Sequence, residues 1–428
     1  MAKPTPLTFS LFVALWLFGC QWAYPAFGQP VTPIEMVCVD DDATGYATFQ
    51  SHNQKVVANS YGIFMTHIRR RNADYTAQTW RLSRSEDGGR TFSVIYEATD
   101  ATNPPVIETD TDGNIYLIRP DFVDGNAYPY RFLAKNDFRD PLITQIPNGS
   151  AGKYAMVLDT ARRQIYYFAH NNTFHVVGLD GRVLSSVQLL KAGENAVLQY
   201  PLLNLDRDGT LHAAWTTQKH GEYLYWDIHH MLSGDAGRTW RNAGGGTIDP
   251  PVVADNTGPA LRITLDDEFE SHTWLSSFLV KNGKIHFMYL AQTEPARQHY
   301  MRYDVATGRR EIDRQPVFQG TEIRLRGLDG FFAAHADSKD SPLYCLGRDE
   351  AGHVACLSSE DNGKTWQDYA RSERSFNVYS LGGCRQVTDD GFIIGSFTDT
   401  QGTDQTAERK PKVYFFKIKA KTLAAGGP

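Results

Sequence analysis

The chain has 428 residues and a formal net charge of −6, with no basic stripe, which argues against a nucleic-acid partner. Aromatic residues make up 12 % and glycines number 36, a balance suited to many strands joined by tight turns. The length allows two or three domains, but large all-β folds exceed that range as one.

The first stretch, "MAKPTPLTFSLFVALWLFGCQWAYPAFGQP", carries Lys3, an apolar run from about Leu7 to Gly19, and then small residues. That run is short for a bilayer span and reads as a signal peptide, residues 1–28, cleaved before Gln29. The mature chain is then secreted or periplasmic, without a transmembrane segment. "LFGC" also approximates a lipoprotein box with Cys20 as the lipidated residue, although Phe18 is a bulky departure.

From residue 29 onward a faint repeat organises the chain: a turn followed by a short apolar strand. It recurs as "NSYGIFMTH" (59–67), "TDGNIYLIR" (111–119), "ARRQIYYFAH" (161–170), "RDGTLHAAW" (207–215), "KNGKIHFMY" (281–289), "KDSPLYCLG" (339–347) and "DDGFIIGSF" (389–397). Turn pairs such as Asp-Gly before β-rich runs are strong hairpin signals. The spacing is near 50 residues, stretched once by an insertion around 244–270. Each unit leaves room for two more strands, as in "TWRLSRSED" and "SVIYEA" of the first. Seven four-stranded units describe a β-propeller folding as one domain; misreading one unit would make it six. Residues 33–50 belong to no unit and are expected to add the closing strand.

A sharper repeat lies inside three units. "SEDGGRTF" (85–92), "SGDAGRTW" (233–240) and "SEDNGKTW" (359–366) share the template S-x-D-x-G-x-T-(W/F). The Asp is expected to accept bonds from backbone N–H groups one or two residues on, the Gly to supply a positive φ, and the aromatic residue to pack beneath the turn. Each octet should join the third and fourth strands of units one, four and six.

Four cysteines follow the leader. Counting outward from a turn centred on Glu350–Ala351 sets Cys345 opposite Cys356 across a hairpin, an arrangement suited to a disulfide. Cys38 and Cys384 lie near the two ends, either as a second bridge or as two free thiols.

The octet resembles the Asp-box, or BNR repeat, of sialidases and related carbohydrate-active propellers. Unit four, "YPLLNLDRDGTLHAAWTTQKHGEYLYWDIHHMLSGDAGRTWRNAGG", is similar to the BNR-repeat family that includes polysaccharide lyases acting on uronate polymers such as ulvan. The resemblance implies an exported seven-bladed propeller acting on acidic polysaccharide, with His and Tyr moving protons and Arg on the acid group; sialidases typically have six blades.

Propellers usually meet ligands on the face carrying the loops between units and the loops after each second strand, with the Asp-box turns on the other face. Candidates placed there for proton transfer are His52, His67, His170, His272 and Tyr289, since imidazole titrates near neutral pH. Candidates for binding are Arg69 and Arg71 of the "RRR" run, Arg119, Arg348, Arg385 and the stacking residue Trp274, because guanidinium pairs with carboxylate or sulfate as a planar fork. His212, His229 and His230 read as strand residues away from that face. The clusters "LDDEFE" (265–270) and "VDDD" (39–42) read first as solvated segments and second as oxygen ligands for a structural Ca²⁺. No zinc spacing or phosphate-cradling glycine loop is present. Two alternatives stay open. A sialidase-like hydrolase would gather one of Arg69–Arg71 with Arg348 and Arg385 and recruit Tyr379, Glu294 and Asp399, although "GIFMTHIRRR" stands where the usual arginine motif is expected. A non-catalytic propeller would bind a glycan or protein with the same face.

Overall fold

The computed structural model describes residues 31–423, apart from 51–52, 73–76, 100–102, 170, 195, 223, 255–260, 269–270, 315–320, 322, 336–339 and 401–409. The chain forms a seven-bladed β-propeller, with antiparallel blades spanning 56–98, 106–143, 154–188, 196–262, 273–314, 325–371 and 378–419. Each of the seven recurring turns joins the innermost strand of a blade to its second strand, as the hairpin signals require.

Closure comes from the N-terminal segment. Glu35–Asp40 pairs antiparallel with Lys412–Lys419 as the outer strand of blade 7, so its first and last strands come from opposite ends of the chain. Thr32–Pro33 adds in parallel to the edge of blade 6. Of the described residues of the insertion, Thr247–Ile248 extends the outer edge of blade 4 and Leu261–Arg262 pairs with its third strand, Tyr225–Ser233, while Val252–Val253 pairs in parallel with Leu190–Lys191, ahead of that blade.

The octets occupy the expected turns. In each, the Asp carboxylate accepts backbone N–H groups, but mostly three and four residues on rather than one or two. Asp87 accepts from Arg90 N and Thr91 N at 3.0 Å each and from Thr91 Oγ1 at 2.7 Å, while Ser85 Oγ accepts Gly89 N at 2.8 Å. Asp235 repeats the pattern with Arg238 and Thr239. The aromatic residue reaches the preceding blade: Phe92 meets Phe415 of blade 7, Trp240 meets Phe174 of blade 3, and Trp366 meets Tyr300 of blade 5, with centroids 5.1–5.5 Å apart.

The expected disulfide is not formed. Cys345 pairs with Leu357, and Cys356 with Leu346, so the two cysteines are one residue out of register. The intervening loop has three residues, Glu350 to Gly352, closed by Asp349 N to His353 O at 2.9 Å, not the two of a tight turn. A one-residue slip flips the side chain to the other face. Cys345 therefore packs among Leu279, Met288 and Tyr300, and Cys356 among Phe397, Tyr414 and Phe416. Cys38 and Cys384 are also free thiols, on the outermost strand of blade 7 and just beyond its innermost strand.

The axial channel is closed at one end. The segment of residues 47–50 and 53–55 bonds to blade 1 through Ala47 O and Lys55 O, and to blade 7 through Thr48 Oγ1 and Ser380 O at 3.0 Å. It reaches blade 3 through Gln50 Nε2 and Gly152 O at 3.1 Å, while Phe49 packs on the core between blades 4 and 5. Contacts on opposite sides of the ring place this segment across the axis on the face where the first strands begin, called the upper face below. A cavity of about 1020 Å³, lined by the turns after the first strands, opens on the other face, which also carries the octets. Lys55, wholly buried, donates to Gln50 O and Asn53 O at 3.2 and 3.4 Å, and burial pulls its pKa down to about 7.

Candidate functional site

Beside this closing segment, the upper face carries a half-open aromatic cluster contributed by blades 3, 4 and 5. Blade 5 begins with Thr273–Lys281, whose leading residues give His272 and Trp274. Side chains two apart on an extended chain share a side, so the imidazole stacks on the indole at 4.8 Å. Tyr225, which starts the third strand of blade 4, stands edge-on to Trp274 at 4.7 Å and to His272 at 4.9 Å. Tyr200, on the innermost strand of blade 4, stands edge-on to Tyr225 at 5.3 Å. Lys153 lies just before the first strand of blade 3, its Nζ 4.3 Å from the Tyr200 ring centroid and 5.3 Å from that of Tyr225. Burial lowers the Lys153 pKa to about 8. Tyr200 and Tyr225 are buried, whereas Lys153, His272 and Trp274 are half-buried. A cation, an imidazole and an indole thus share one semi-enclosed apolar site, an arrangement suited to holding a sugar ring by stacking and its polar groups by charge and hydrogen bonds.

The other expected residues are dispersed around the ring. His67 is buried, its Nε2 3.2 Å from Asp40 Oδ2, and Arg69 and Arg81 reach the same carboxylate at 2.9 and 3.2 Å. Burial alone would raise the Asp40 pKa, but hydrogen bonding and charge from His67, with Arg69 behind, outweigh it and hold the carboxyl at about 2. Arg70 pairs with Asp42, and Arg71 is exposed. The VDDD cluster and the arginine run are therefore largely joined to each other, fastening the terminal strand to blade 1. Arg119 pairs with Asp121 at 3.0 Å and covers Tyr128; Arg348 is part-buried on the second strand of blade 6. Arg385 is not on the upper face as expected: it follows the end of the innermost strand of blade 7 and lines the channel, paired with buried Glu108, whose pKa is raised by burial against the pull of Arg385. His52 and His170 lie outside the described residues.

Tyr289 belongs to a separate buried network. Its hydroxyl donates to Glu268 Oε2 at 2.8 Å, and His299 lies 2.5 Å from Glu268 Oε1 and 3.2 Å from Asp313. Burial opposes the charge on His299, but Asp313 and Glu268 outweigh it and raise its pKa; burial and Glu268 push Tyr289 well above the usual phenol range. Asp266 and Asp267 pair with Arg262 and Arg297, so these three carboxylates of the insertion are engaged in protein contacts. Among the described residues no group of His, Cys, Asp and Glu forms a metal site.

Of the expected residues, the structure therefore unites His272 with Trp274, and His67 with Arg69. Lys153 was missed by sequence reasoning. Its signal is positional: in "AGKYAMVLD" it precedes an innermost strand, as His272 does in "SHTWLSSFL".

A profile of a BNR repeat-containing family matches residues 46–309, and the chain belongs to that family. No protein of curated function matches it significantly by sequence. An ulvan lyase of a polysaccharide lyase family is similar in structure, with a TM-score of 0.59 at 12 % identity, covering 89 % of this chain and 95 % of that one. The ulvan lyase bound to a glucuronate–rhamnose 3-sulfate unit matches with a TM-score of 0.59 at 13 % identity and the same coverage. Another polysaccharide lyase, Uly1, matches with a TM-score of 0.61 at 11 % identity over 91 % of this chain and 100 % of that one. At these identities the shared property is the fold.

Proposed function

We propose that this BNR-repeat propeller is exported and acts on an acidic polysaccharide by β-elimination at a uronate, using the upper-face cluster of Lys153, Tyr200, Tyr225, His272 and Trp274. The observation that carries this reading is the stacking of His272 on half-buried Trp274 at 4.8 Å beside the channel plug. A sugar ring laid against the indole brings the imidazole next to the carbon that bears the uronate carboxylate. His272 removes that carbon's proton; the electron pair forms the new double bond as the glycosidic bond at the adjacent carbon breaks, and the departing oxygen takes a proton from the Tyr225 hydroxyl. Resemblance to lyase propellers and the leader at residues 1–28 support the reaction class and export. No helix among the described residues is long and apolar enough to cross a membrane.

The test is the ultraviolet absorbance of unsaturated uronate, followed while the chain from Gln29 is incubated with a panel of uronate polymers. Absorbance should rise, and His272→Ala should slow the rise by about 100-fold or more. Cleavage that His272→Ala leaves intact would overturn the site. Hydrolysis of a sialoside reporter with no elimination would move the function to the hydrolase alternative, and glycan binding without turnover would move it to a binding module.

A further inference from the structure

Blade 3 carries no octet, and the turn after its innermost strand departs from that of its neighbours. In blades 2, 4 and 7 this turn is closed by a glycine, Gly113, Gly209 or Gly391, with φ of 76–79° and its N–H bonded to the carbonyl three residues before it. In blade 3 the same place is held by Arg163, with φ of 55° and its N–H on Thr160 O at 3.3 Å. A long side chain in the left-handed region costs backbone energy that glycine avoids, and such strain concentrates at functional sites.

The turn between the third and fourth strands of blade 3, "GLDGR" (178–182), brings a second arginine to the same seam. A Cβ on Gly181 would overlap Thr144 of blade 2, and the Gly181 carbonyl accepts Thr144 Oγ1 at 3.0 Å, so the turn is pressed against the neighbouring blade. Asp180 Oδ1 accepts Arg182 N at 3.1 Å, which engages that carboxylate within its own turn. Blade 2 supplies Arg131 from the end of its third strand, with the guanidinium 5.8 Å from the Tyr116 ring and Nε buried without a hydrogen-bond partner. Arg131, Arg163 and Arg182 line one cavity of about 280 Å³ together with Asp180 and Leu184. Among the described residues none of these three arginines forms an ion pair, whereas Arg69, Arg119 and Arg297 each have a carboxylate. The seam is thus positive in a chain of net charge −6.

Three guanidinium forks suit a tetrahedral oxyanion, which offers oxygens in several directions, better than a planar carboxylate, which one fork satisfies. Leu184, 47 % exposed, forms an apolar wall, and Leu142, paired across the strands with Arg131, is 54 % exposed at the edge. A bare ion has no use for these surfaces, whereas the C–H face of a sugar ring does. The volume falls just below the roughly 300–1,000 Å³ of pockets for drug-sized ligands, which leaves room for one sugar unit. We infer that the seam between blades 2 and 3, on the octet face, is a second binding site that takes a sulfate or phosphate ester carried on a sugar. It shares no residue with the upper-face cluster and stands whether or not that cluster performs elimination.

The experiment is a calorimetric titration of the chain from Gln29 with a glucose sulfate ester, a glucose phosphate ester, glucuronate, glucose, and inorganic sulfate and phosphate. At least one sugar ester should bind, with glucuronate and glucose weaker by about 10-fold or more. Arg182→Ser and Arg163→Gly should each weaken that ester by about 10-fold or more, and added salt should weaken it in the wild type. Arg163→Gly should melt no lower than the wild type, because glycine relieves the left-handed backbone; a lower melting temperature with unchanged binding would make Arg163 structural and overturn its part. His272→Ala should bind the ester as the wild type does, and a loss there with both arginine variants unaffected would overturn the second site. Glucuronate bound as tightly as the esters overturns the choice of a tetrahedral group. Inorganic ions bound as tightly as the esters overturn the sugar. Arginine-dependent binding of phosphatidylglycerol vesicles, with no sugar ester bound, would make the seam a lipid site and overturn the assignment.

Discussion

At the scale of a residue, the octets show how much one template position can carry. Gly88 and Gly89 both have a left-handed φ, at 74° and 89°. A Cβ at Gly88 would meet nothing within 4 Å, whereas one at Gly89 would overlap Phe415 of the neighbouring blade. The other octets agree: Ala236 and Asn362 stand where Gly88 does, with φ of 64° and 55°, while Gly237 and Gly363 match Gly89 and press on Phe174 and Tyr300. Gly88→Asn should therefore change stability by no more than about 0.5 kcal/mol, since Asn tolerates this conformation. Gly89→Ala should cost about 2–4 kcal/mol, combining backbone strain with overpacking between blades. Denaturant midpoints of the two variants decide it, and equal losses would reject the inter-blade role. The template and its turn are legible in the sequence. The role of the glycine is not, because Phe174 lies more than sixty residues before Gly237 and no local pattern joins them.

At the scale of an element, what is legible depends on whether a one-residue error matters. Seven apolar strands preceded by turns survive such an error, so the blade count and the closing strand could be read directly from the chain. A cysteine pair does not survive it, and the three-residue loop 350–352 separates Cys345 from Cys356 onto opposite faces. Burial raises both thiols well above their ordinary range, which makes them unreactive in the folded chain. Cys38, Cys345, Cys356 and Cys384 should therefore all take up a thiol reagent after denaturation without reductant, and Cys345 and Cys356 should resist it beforehand. Mass spectrometry of the labelled peptides checks this; a Cys345–Cys356 peptide that labels only after reduction would contradict the register. The same limit governs the candidate site. The repeat gives each histidine and arginine a place along the chain, but Arg385 lines the channel that opens on the octet face, and the partners of the others could not be read. His67, Arg69 and Tyr289 meet Asp40 and Glu268 through tertiary packing, whereas His272 and Trp274 meet through the two-residue period of a strand.

At the scale of the whole molecule, the ring must be closed against its own edges, and buried charge is used for that closure. Asp40 ends the terminal strand of blade 7 and faces His67, Arg69 and Arg81 of blade 1, while Lys417 reaches back to Gly88 O at 2.9 Å. The Asp40 side chain is only 1 % exposed, so its interactions are weakly screened. Its folded pKa of about 2 lies below the unfolded value of about 3.9, so the stabilisation is complete above the unfolded value and fades as pH falls through the folded one. The pair of values corresponds to about 2–3 kcal/mol. Asp40→Asn leaves buried basic groups without their carboxylate and should cost about 3–5 kcal/mol at neutral pH. The variant should also lose the part of the wild type's acid sensitivity that falls between about pH 4 and pH 2. Unfolding midpoints of both proteins across that range give the answer: the gap between them should narrow steadily with acid. A gap that stays constant would mean that Asp40 does not hold the closure through its charge, and the ring would then be fastened chiefly by the strand pairing of Glu35–Asp40 with Lys412–Lys419.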